Sequence, residues 1–181
     1  MGLHASAKER LGILETFYRT TLDGIGPIHT IVDVACGLNP LAMPWMGLDE
    51  NVVYYAYDVY TDLVDFVGAF MVLTGVRGHA KARDVIQTPP TQRADVAFIL
   101  KTLPCIEQVD KSAGLRLLEA LNARYLLVSF PAHSLGGRDK GMVQNYGARF
   151  VELVQDKPWW IRRFEFVTEL AFLVDKGERG E

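Results

Sequence analysis

The sequence predicts an α/β fold with a mostly parallel sheet of seven strands and an antiparallel strand at its C-terminal end. Short apolar runs rich in β-branched and aromatic residues alternate along the chain with stretches of helical periodicity. The chain then closes on two consecutive strand-like runs, which favour a hairpin. Its 181 residues are 49% apolar, which suits a single domain spanning residues 1–181 with a substantial core.

The N-terminal half is predicted from capping residues and apolar periodicity. A first helix runs from Ser6 to Leu22, inside an N-terminal helical segment at residues 1–26, because Ser6 and Glu9 form a capping box. A turn containing glycine and proline then ends it. The elements that follow are a strand over Ile31–Val34, a helix opened by Asn39 as N-cap and Pro40 as N1, a strand over 52–57, a helix over 61–73 and a weak strand within 75–84.

The C-terminal half follows the same alternation. Its strongest strand signal is the apolar run Asp95–Leu100. The other predicted elements are a helix near Lys111–Leu121, a strand over Tyr125–Phe130, a loop over Pro131–Gly141, a helix over Met142–Val154 and two strands over Trp159–Phe166 and Glu169–Val174. Residues 175–181 are mostly polar and are predicted to form a flexible tail.

Composition narrows the functional classes. The net charge of −3 argues against a broadly basic nucleic-acid-binding surface. No apolar run approaches the roughly 20 residues that a membrane span needs, and the N-terminus lacks the apolar core of a secretory signal, so a cytoplasmic protein without membrane contact is expected. The two cysteines, Cys36 and Cys105, have no metal-ligand spacing, so no metal site is expected.

The stretch Thr30–Pro40 carries the strongest functional signal in composition and pattern. Its apolar β-branched residues favour a buried strand, and Gly37 at the strand's end lets the backbone approach a ligand without a Cβ in the way. Asp58 ends the next strand, about 20 residues later, where an open α/β fold places a carboxylate on ribose hydroxyls. Together these residues predict a nucleoside-containing cofactor, although Gly37 alone is also compatible with a turn that binds nothing.

The glycine turn departs from the dinucleotide fingerprint. A pyrophosphate site needs a second and a third glycine, whereas Asn39 and Pro40 follow Gly37 here. S-adenosylmethionine has an adenosine and a methionine tail but no phosphate for a helix N-terminus to hold. The sequence therefore favours S-adenosyl-L-methionine as the cofactor.

Four longer motifs follow one another along the chain: HASAKERL at His4–Leu11, DVACGLNPL at Asp33–Leu41, LKTLPCIE at Leu100–Glu107, and VSFP at Val128–Pro131 with SLGGRDKGM at Ser134–Met142. Together they resemble the aminoglycoside-resistance 16S ribosomal RNA methyltransferases, which methylate N7 of a guanine in the decoding site. The resemblance implies a class I, Rossmann-like methyltransferase fold that acts on 16S rRNA in the 30S subunit. Family members also carry an N-terminal helical docking domain, which this chain is expected to lack.

The resemblance implies cofactor contacts for four residues. Arg10 would pair with the carboxylate of the methionine moiety, a contact that suits guanidinium geometry. Gly37 would lie beneath the cofactor and Asp58 would hold the ribose. Asp84 would accept a hydrogen bond from the adenine amino group, and a turn cap is its alternative role.

The segment Leu100–Glu107 follows the fourth strand, at the carboxyl edge where open sheets bind ligands. Leu103 is expected to shape the pocket. Glu107 and Gln108 are expected to touch the cofactor or to open the next helix. Cys105 is interpreted as a thiol of the pocket wall, because guanine N7 needs no covalent catalyst.

No catalytic acid or base is expected, since guanine N7 has a lone pair and no proton to lose, and catalysis then comes from positioning. Arg138 and Lys140 are the RNA-facing candidates, in a glycine-containing loop that suits a clamp on an RNA backbone. Lys101 is a third candidate for orienting the substrate. The alternatives are an exposed solvated loop and a snorkelling lysine.

The sequence thus predicts an S-adenosylmethionine-dependent methyltransferase that acts on guanine N7 of 16S rRNA. Two other functions stay open at this point. The acidic balance is compatible with a small-molecule methyltransferase of the same fold, and the pocket alone is compatible with a non-catalytic protein that binds S-adenosylmethionine.

Overall fold

The computed structural model describes residues 10–132 and 141–177, which form a seven-stranded sheet. In chain order its strands are β1 (Thr30–Val34), β2 (Val53–Asp58), β3 (Arg77–Ala82), β4 (Ala94–Leu100), β5 (Ala123–Pro131), β6 (Trp160–Glu165) and β7 (Glu169–Asp175). Their spatial order is β3-β2-β1-β4-β5-β7-β6. The pairs from β3 to β5 are parallel, and β7 runs antiparallel to both β5 and β6.

Helices cover both faces of this sheet. The α-helices are α1 (Leu14–Thr21), α2 (Thr61–Thr74), α3 (Leu103–Val109), α4 (Ala113–Ala120) and α5 (Met142–Val154), and 3-10 helices span Leu11–Ile13 and Asn39–Trp45. Buried residues of α1, Asn39–Trp45 and α2 pack on one face, whereas those of α3, α4 and α5 pack on the other. Within the described chain, no helix is long and apolar enough to cross a membrane.

The alternation of side chains along β1 explains why the core has two layers. Ile31 packs on the α1 side, whereas Val32 and Val34 pack on the α5 side, because successive residues of a strand point to opposite faces. All three side chains are at most 2% exposed. Burial of each such side chain contributes about 1.5–3 kcal/mol relative to leaving it in water. The strand is therefore held from both sides, and its carboxyl end is fixed in place.

The predicted fold class is confirmed, including the antiparallel strand near the C-terminus. The predicted N-cap at Ser6 lies outside the described residues, and α1 begins at Leu14, after a 3-10 turn. The prediction of Asn39 as an N-cap is wrong, since Leu38 holds that position and the Asn39 side chain is buried in a polar network. The sequence also missed α3, which a break at the extended residue Asp110 separates from α4.

Candidate active site

Gly37 and Asp58 meet at the carboxyl edge of the sheet. The parallel register places Val34 of β1 opposite Tyr57 of β2, so the residues after these positions are neighbours. The backbone N–H of Gly37 donates to Asp58 Oδ2 at 2.9 Å, and Gly37 has a φ of +52°, a conformation that favours glycine. Asp58 Oδ1 accepts the backbone N–H of Val59 at 2.8 Å. The structure thus brings the glycine turn and the carboxylate together, and the ribose contact of Asp58 stays a prediction.

A cavity of about 500 Å³ opens beside this turn. Its polar side is formed by Arg10 and Asn39, and much of the remaining wall is apolar. The residues that line it are Arg10, Leu11, Leu14, Ala35, Cys36, Gly37, Leu38, Asn39, Leu41, Ala42, Trp45, Phe70 and Leu100. This combination of an apolar wall and a few convergent polar groups is typical of a small-molecule or cofactor site.

The guanidinium of Arg10 lies at the cavity wall and is held by a carboxylate from the last strand. Arg10 Nε donates to Glu169 Oε2 at 2.9 Å, and Arg10 Nη2 donates to Glu169 Oε1 at 2.6 Å. Arg10 Nη1 donates to Asn39 Oδ1 at 2.9 Å. Arg10 is 5% exposed and Glu169 is fully buried, so this is a bidentate ion pair in the interior. The two ends of the described chain are joined at the predicted site.

Lys101 is a second cation on the same carboxylate. Its Nζ lies 3.6 Å from Glu169 Oε2, and its side chain is 8% exposed. It follows β4 with a φ of +57°, and Ala35 follows the neighbouring β1 with a φ of +50°. Positive φ costs non-glycine residues free energy, and such residues cluster at functional sites. Lys101 was predicted to face the substrate, whereas the structure directs its ammonium toward Glu169.

A buried network of hydrogen bonds connects Arg10 through Asn39 to Asp33 and Tyr54. Asn39 Nδ2 donates to Asp33 Oδ2 at 2.9 Å, and the Tyr54 hydroxyl donates to the same oxygen at 2.7 Å. The Tyr18 hydroxyl donates to Asn39 Oδ1. Burial raises the pKa of Asp33 to about 7, although the hydrogen bonds from Tyr54 and Asn39 oppose that shift.

Asp84 lies in the turn after β3, exposed, at the same carboxyl edge. Its Oδ1 accepts the backbone N–H of Ile86 at 2.9 Å and that of Gln87 at 3.2 Å. The alternative role weighed for this residue, a turn cap, is therefore present. The predicted adenine contact would be made by a carboxylate that the turn already holds in place.

The segment after β4 contributes less to the cavity than the sequence suggested. Leu103 is fully buried in the main core, and the structure gives it a packing role instead of a place in the cavity wall. Glu107 Oε2 pairs with Arg149 Nη2 at 2.7 Å, so this carboxylate ties α3 to α5. Gln108 and Cys105 are exposed on α3 and do not line the cavity.

Arg138 and Lys140, the predicted RNA-facing residues, lie outside the described residues. Four residues of the polar centre were not predicted as site residues: Glu169, Asp33, Tyr18 and Tyr54. Asp33 had a readable signal, because it interrupts an otherwise apolar buried strand. No local sequence pattern indicated Glu169, because its partner Arg10 is 159 residues away in the chain.

Comparison with known proteins shows which family this chain resembles. The model of a family described as "Ribosomal RNA methyltransferase (FmrO)" matches residues 1–173. The chain is 39% identical over 176 residues to a 16S rRNA (guanine(1405)-N(7))-methyltransferase of Micromonospora rosea, and 38% identical over 176 residues to a protein of the same name from Micromonospora echinospora. Each match covers 97% of this chain and 64% of the relative, so the chain spans about two thirds of their length.

Solved structures agree with the sequence relatives. A crystal structure of the 16S rRNA methyltransferase RmtF in complex with S-adenosyl-L-homocysteine superposes with a TM-score of 0.84 at 32% identity. That match covers 97% of this chain and 67% of the other. The fold around the cavity is therefore that of S-adenosylmethionine-dependent methyltransferases.

Proposed function

Because this chain belongs to the FmrO family of ribosomal RNA methyltransferases, we propose that it transfers a methyl group from S-adenosylmethionine to guanine N7 of 16S rRNA. The observation that carries the proposal is the cavity lined by Gly37, whose N–H donates to Asp58, at the carboxyl edge of the sheet in a chain that matches the family along residues 1–173. Ligands of open α/β sheets bind at this edge.

The residues that line the cavity, together with two carboxylates at the same edge of the sheet, suit S-adenosylmethionine. Asp58 would accept hydrogen bonds from the ribose hydroxyls, and the backbone of Gly37 allows close approach of the cofactor. The guanidinium of Arg10 lines the cavity beside the carboxylate of Glu169. Its positive charge favours the carboxylate of the methionine moiety. Asp84, in the turn after β3, would accept a hydrogen bond from the adenine amino group.

Methyl transfer to guanine N7 requires the cofactor and the acceptor to be held in line with each other. When bound, S-adenosylmethionine supplies an electrophilic methyl group on a sulfonium. Guanine N7 attacks with a lone pair and releases no proton, so the chain needs no general base. Its residues hold the cofactor in a fixed orientation and leave the acceptor access along the line of transfer, which is where a large share of the rate gain arises.

Methyl transfer to isolated 30S subunits tests the proposal. We expect one modified guanine N7 in 16S rRNA, mapped by borohydride and aniline cleavage followed by primer extension. In Asp58→Ala we expect cofactor binding to weaken by about 1–3 kcal/mol, since a charged hydrogen-bond partner is lost. Asp65→Ala, an exposed carboxylate on α2, is the matched control and should bind as the unchanged protein does.

Two outcomes contradict the proposal in different ways. Transfer to small acceptors with none to 30S subunits would favour a small-molecule methyltransferase of this fold. Tight cofactor binding without transfer to any acceptor would favour a non-catalytic binding protein.

A further inference from the structure

The outer strand of the sheet carries a row of basic side chains on one face. Arg77, His79, Lys81 and Arg83 alternate with small residues along β3 and just beyond it, so their side chains share one face. We call these four residues the basic strip. Ala80, on the other face, packs against the α2 side of the core.

Aromatic rings of the neighbouring strand β2 lie under the basic strip. The rings of Tyr55 and His79 are 4.9 Å apart between centroids, and those of Tyr57 and His79 are 5.7 Å apart. The guanidinium of Arg83 sits 4.7 Å from the centroid of Tyr57. Arg77 and Lys81 are exposed, and Tyr55 is half-buried. The strip is therefore a basic surface above aromatic rings that contact His79 in tilted and edge-on arrangements.

Within the described part of the chain, no carboxylate pairs with the cations of the strip. Among residues 10–132 and 141–177, Arg77, Lys81 and Arg83 form no ion pair with a carboxylate, whereas Arg116, Arg149 and Lys157 each do. Burial, together with the charges of Lys81 and Arg83, lowers the pKa of His79. Three formal positive charges thus stand together on a chain whose net charge is −3. Such local asymmetry attracts a polyanion.

The position of the strip connects it to the candidate active site. The backbone N–H of Arg83 donates to the carbonyl oxygen of Asp58 at 2.8 Å, so the strip begins beside the proposed ribose carboxylate. From Arg83 back to Arg77 it extends about 20 Å along the strand, at about 3.3 Å per residue. Lys81 and Arg83 are two residues apart, and Arg77 lies four residues before Lys81.

We infer that the basic strip binds a single-stranded segment of the RNA substrate next to the methylated guanine. Arg77 and Lys81 contact phosphates, and the half-buried rings of Tyr55 and His79 contact an unpaired base. This inference rests on the proposed function, because an RNA substrate is what supplies the polyanion. A single strand fits better than a duplex, since aromatic rings contact bases that are unpaired and unstacked.

The test compares two double variants that remove the same charge. Arg77→Gln with Lys81→Gln removes two cations from the strip, and Arg19→Gln with Lys111→Gln removes two exposed cations elsewhere. The probe is a fluorescent 12-nucleotide RNA without secondary structure, titrated by anisotropy at several salt concentrations. We expect the slope of log K against log salt to fall by about 1.4 in the strip variant, from about 0.7 per lost contact on a single strand. The control variant should keep the original slope.

An equal loss in both variants, or no loss in the strip variant, would overturn the inference. So would a strip variant that binds RNA normally but self-associates, because cations on an edge strand also prevent sheet-to-sheet pairing. Photo-crosslinking of the unchanged protein to 4-thiouridine RNA gives an independent readout, in which residues 77–83 should carry the crosslink and a crosslink elsewhere alone would contradict it.

Failure of this inference and failure of the proposed function are distinguishable. Cofactor binding in the strip variant should stay unchanged, since neither substituted side chain lines the cavity. Normal methyl transfer with an RNA affinity independent of the strip would reject only the inference. Strip-dependent RNA binding without any methyl transfer would reject only the proposed function.

Discussion

At the residue scale, Glu169 explains how the site is held together. It is the first residue of β7, fully buried, and its two oxygens accept from Arg10 and lie near Lys101. Sequence patterns predicted Arg10 and Lys101 as site residues but not the carboxylate that orients them. Motif resemblance finds residues close together in the chain, whereas an ion pair across 159 residues is set by the tertiary fold.

Glu169→Gln keeps the shape of this side chain and removes its charge. Buried Arg10 then loses the carboxylate with which it forms a bidentate ion pair, and Lys101 loses a carboxylate 3.6 Å away, so we expect the free energy of unfolding to fall by about 3–5 kcal/mol. Saturating S-adenosylmethionine should recover more stability in this variant than in the unchanged protein, because its carboxylate would replace the lost charge. Thermal unfolding with and without cofactor measures both effects, and Glu165→Gln, on the exposed edge strand, is the control. Equal cofactor stabilisation in all three proteins would contradict the expectation.

At the element scale, strands were predicted more accurately than the segments that follow them. The apolar run Asp95–Leu100 predicted β4 to within one residue of its observed start, because the periodicity that indicates a strand is a local feature of the sequence. The segment after β4 was expected to line the pocket, yet it forms α3 and buries Leu103 in the core. Periodicity over seven residues does not show which face of a short helix meets the sheet, so that distinction required the structure.

Strand β3 depends on one glycine. Gly78 has a φ of +122°, and a Cβ at this position would lie 2.0 Å from the carbonyl oxygen of Tyr54. Gly78→Ala should therefore disrupt pairing with β2 and lower the unfolding free energy by at least about 2 kcal/mol. Gly12→Ala is the matched control, since a Cβ there meets nothing within 4 Å, and it should stay within about 0.5 kcal/mol. Chemical denaturation compares them, and equal midpoints would show that β3 tolerates a side chain at this position.

At the scale of the whole molecule, the sheet gives this acidic chain a local basic region along β3. Parallel register brings Gly37, Asp58 and Arg83 to one edge, and β7 returns the chain to Arg10. The overall charge of −3 argues against a broadly basic surface. Composition averages over all residues, whereas Arg77, Lys81 and Arg83 act together only because one strand aligns them. Net charge and local field therefore lead to different expectations for the same chain.

The buried Asp33 carboxyl makes the stability of the whole fold depend on pH. Its pKa rises from 3.8 to about 7 on folding, so the folded state binds more protons than the unfolded state between these values. The contribution of this carboxyl to the free energy of unfolding is fully present below about pH 4 and is lost as the pH rises through about 7. The total loss is on the order of 1–4 kcal/mol. Asp33→Asn keeps an oxygen that can accept from both Tyr54 and Asn39 and removes the titration. We expect the unfolding free energy of Asp33→Asn, minus that of the unchanged protein, to increase steadily from pH 4 to pH 8 in urea denaturation. A difference that stays constant across this interval would show that Asp33 is ionised in the folded protein throughout, with Arg10 close enough to keep it so.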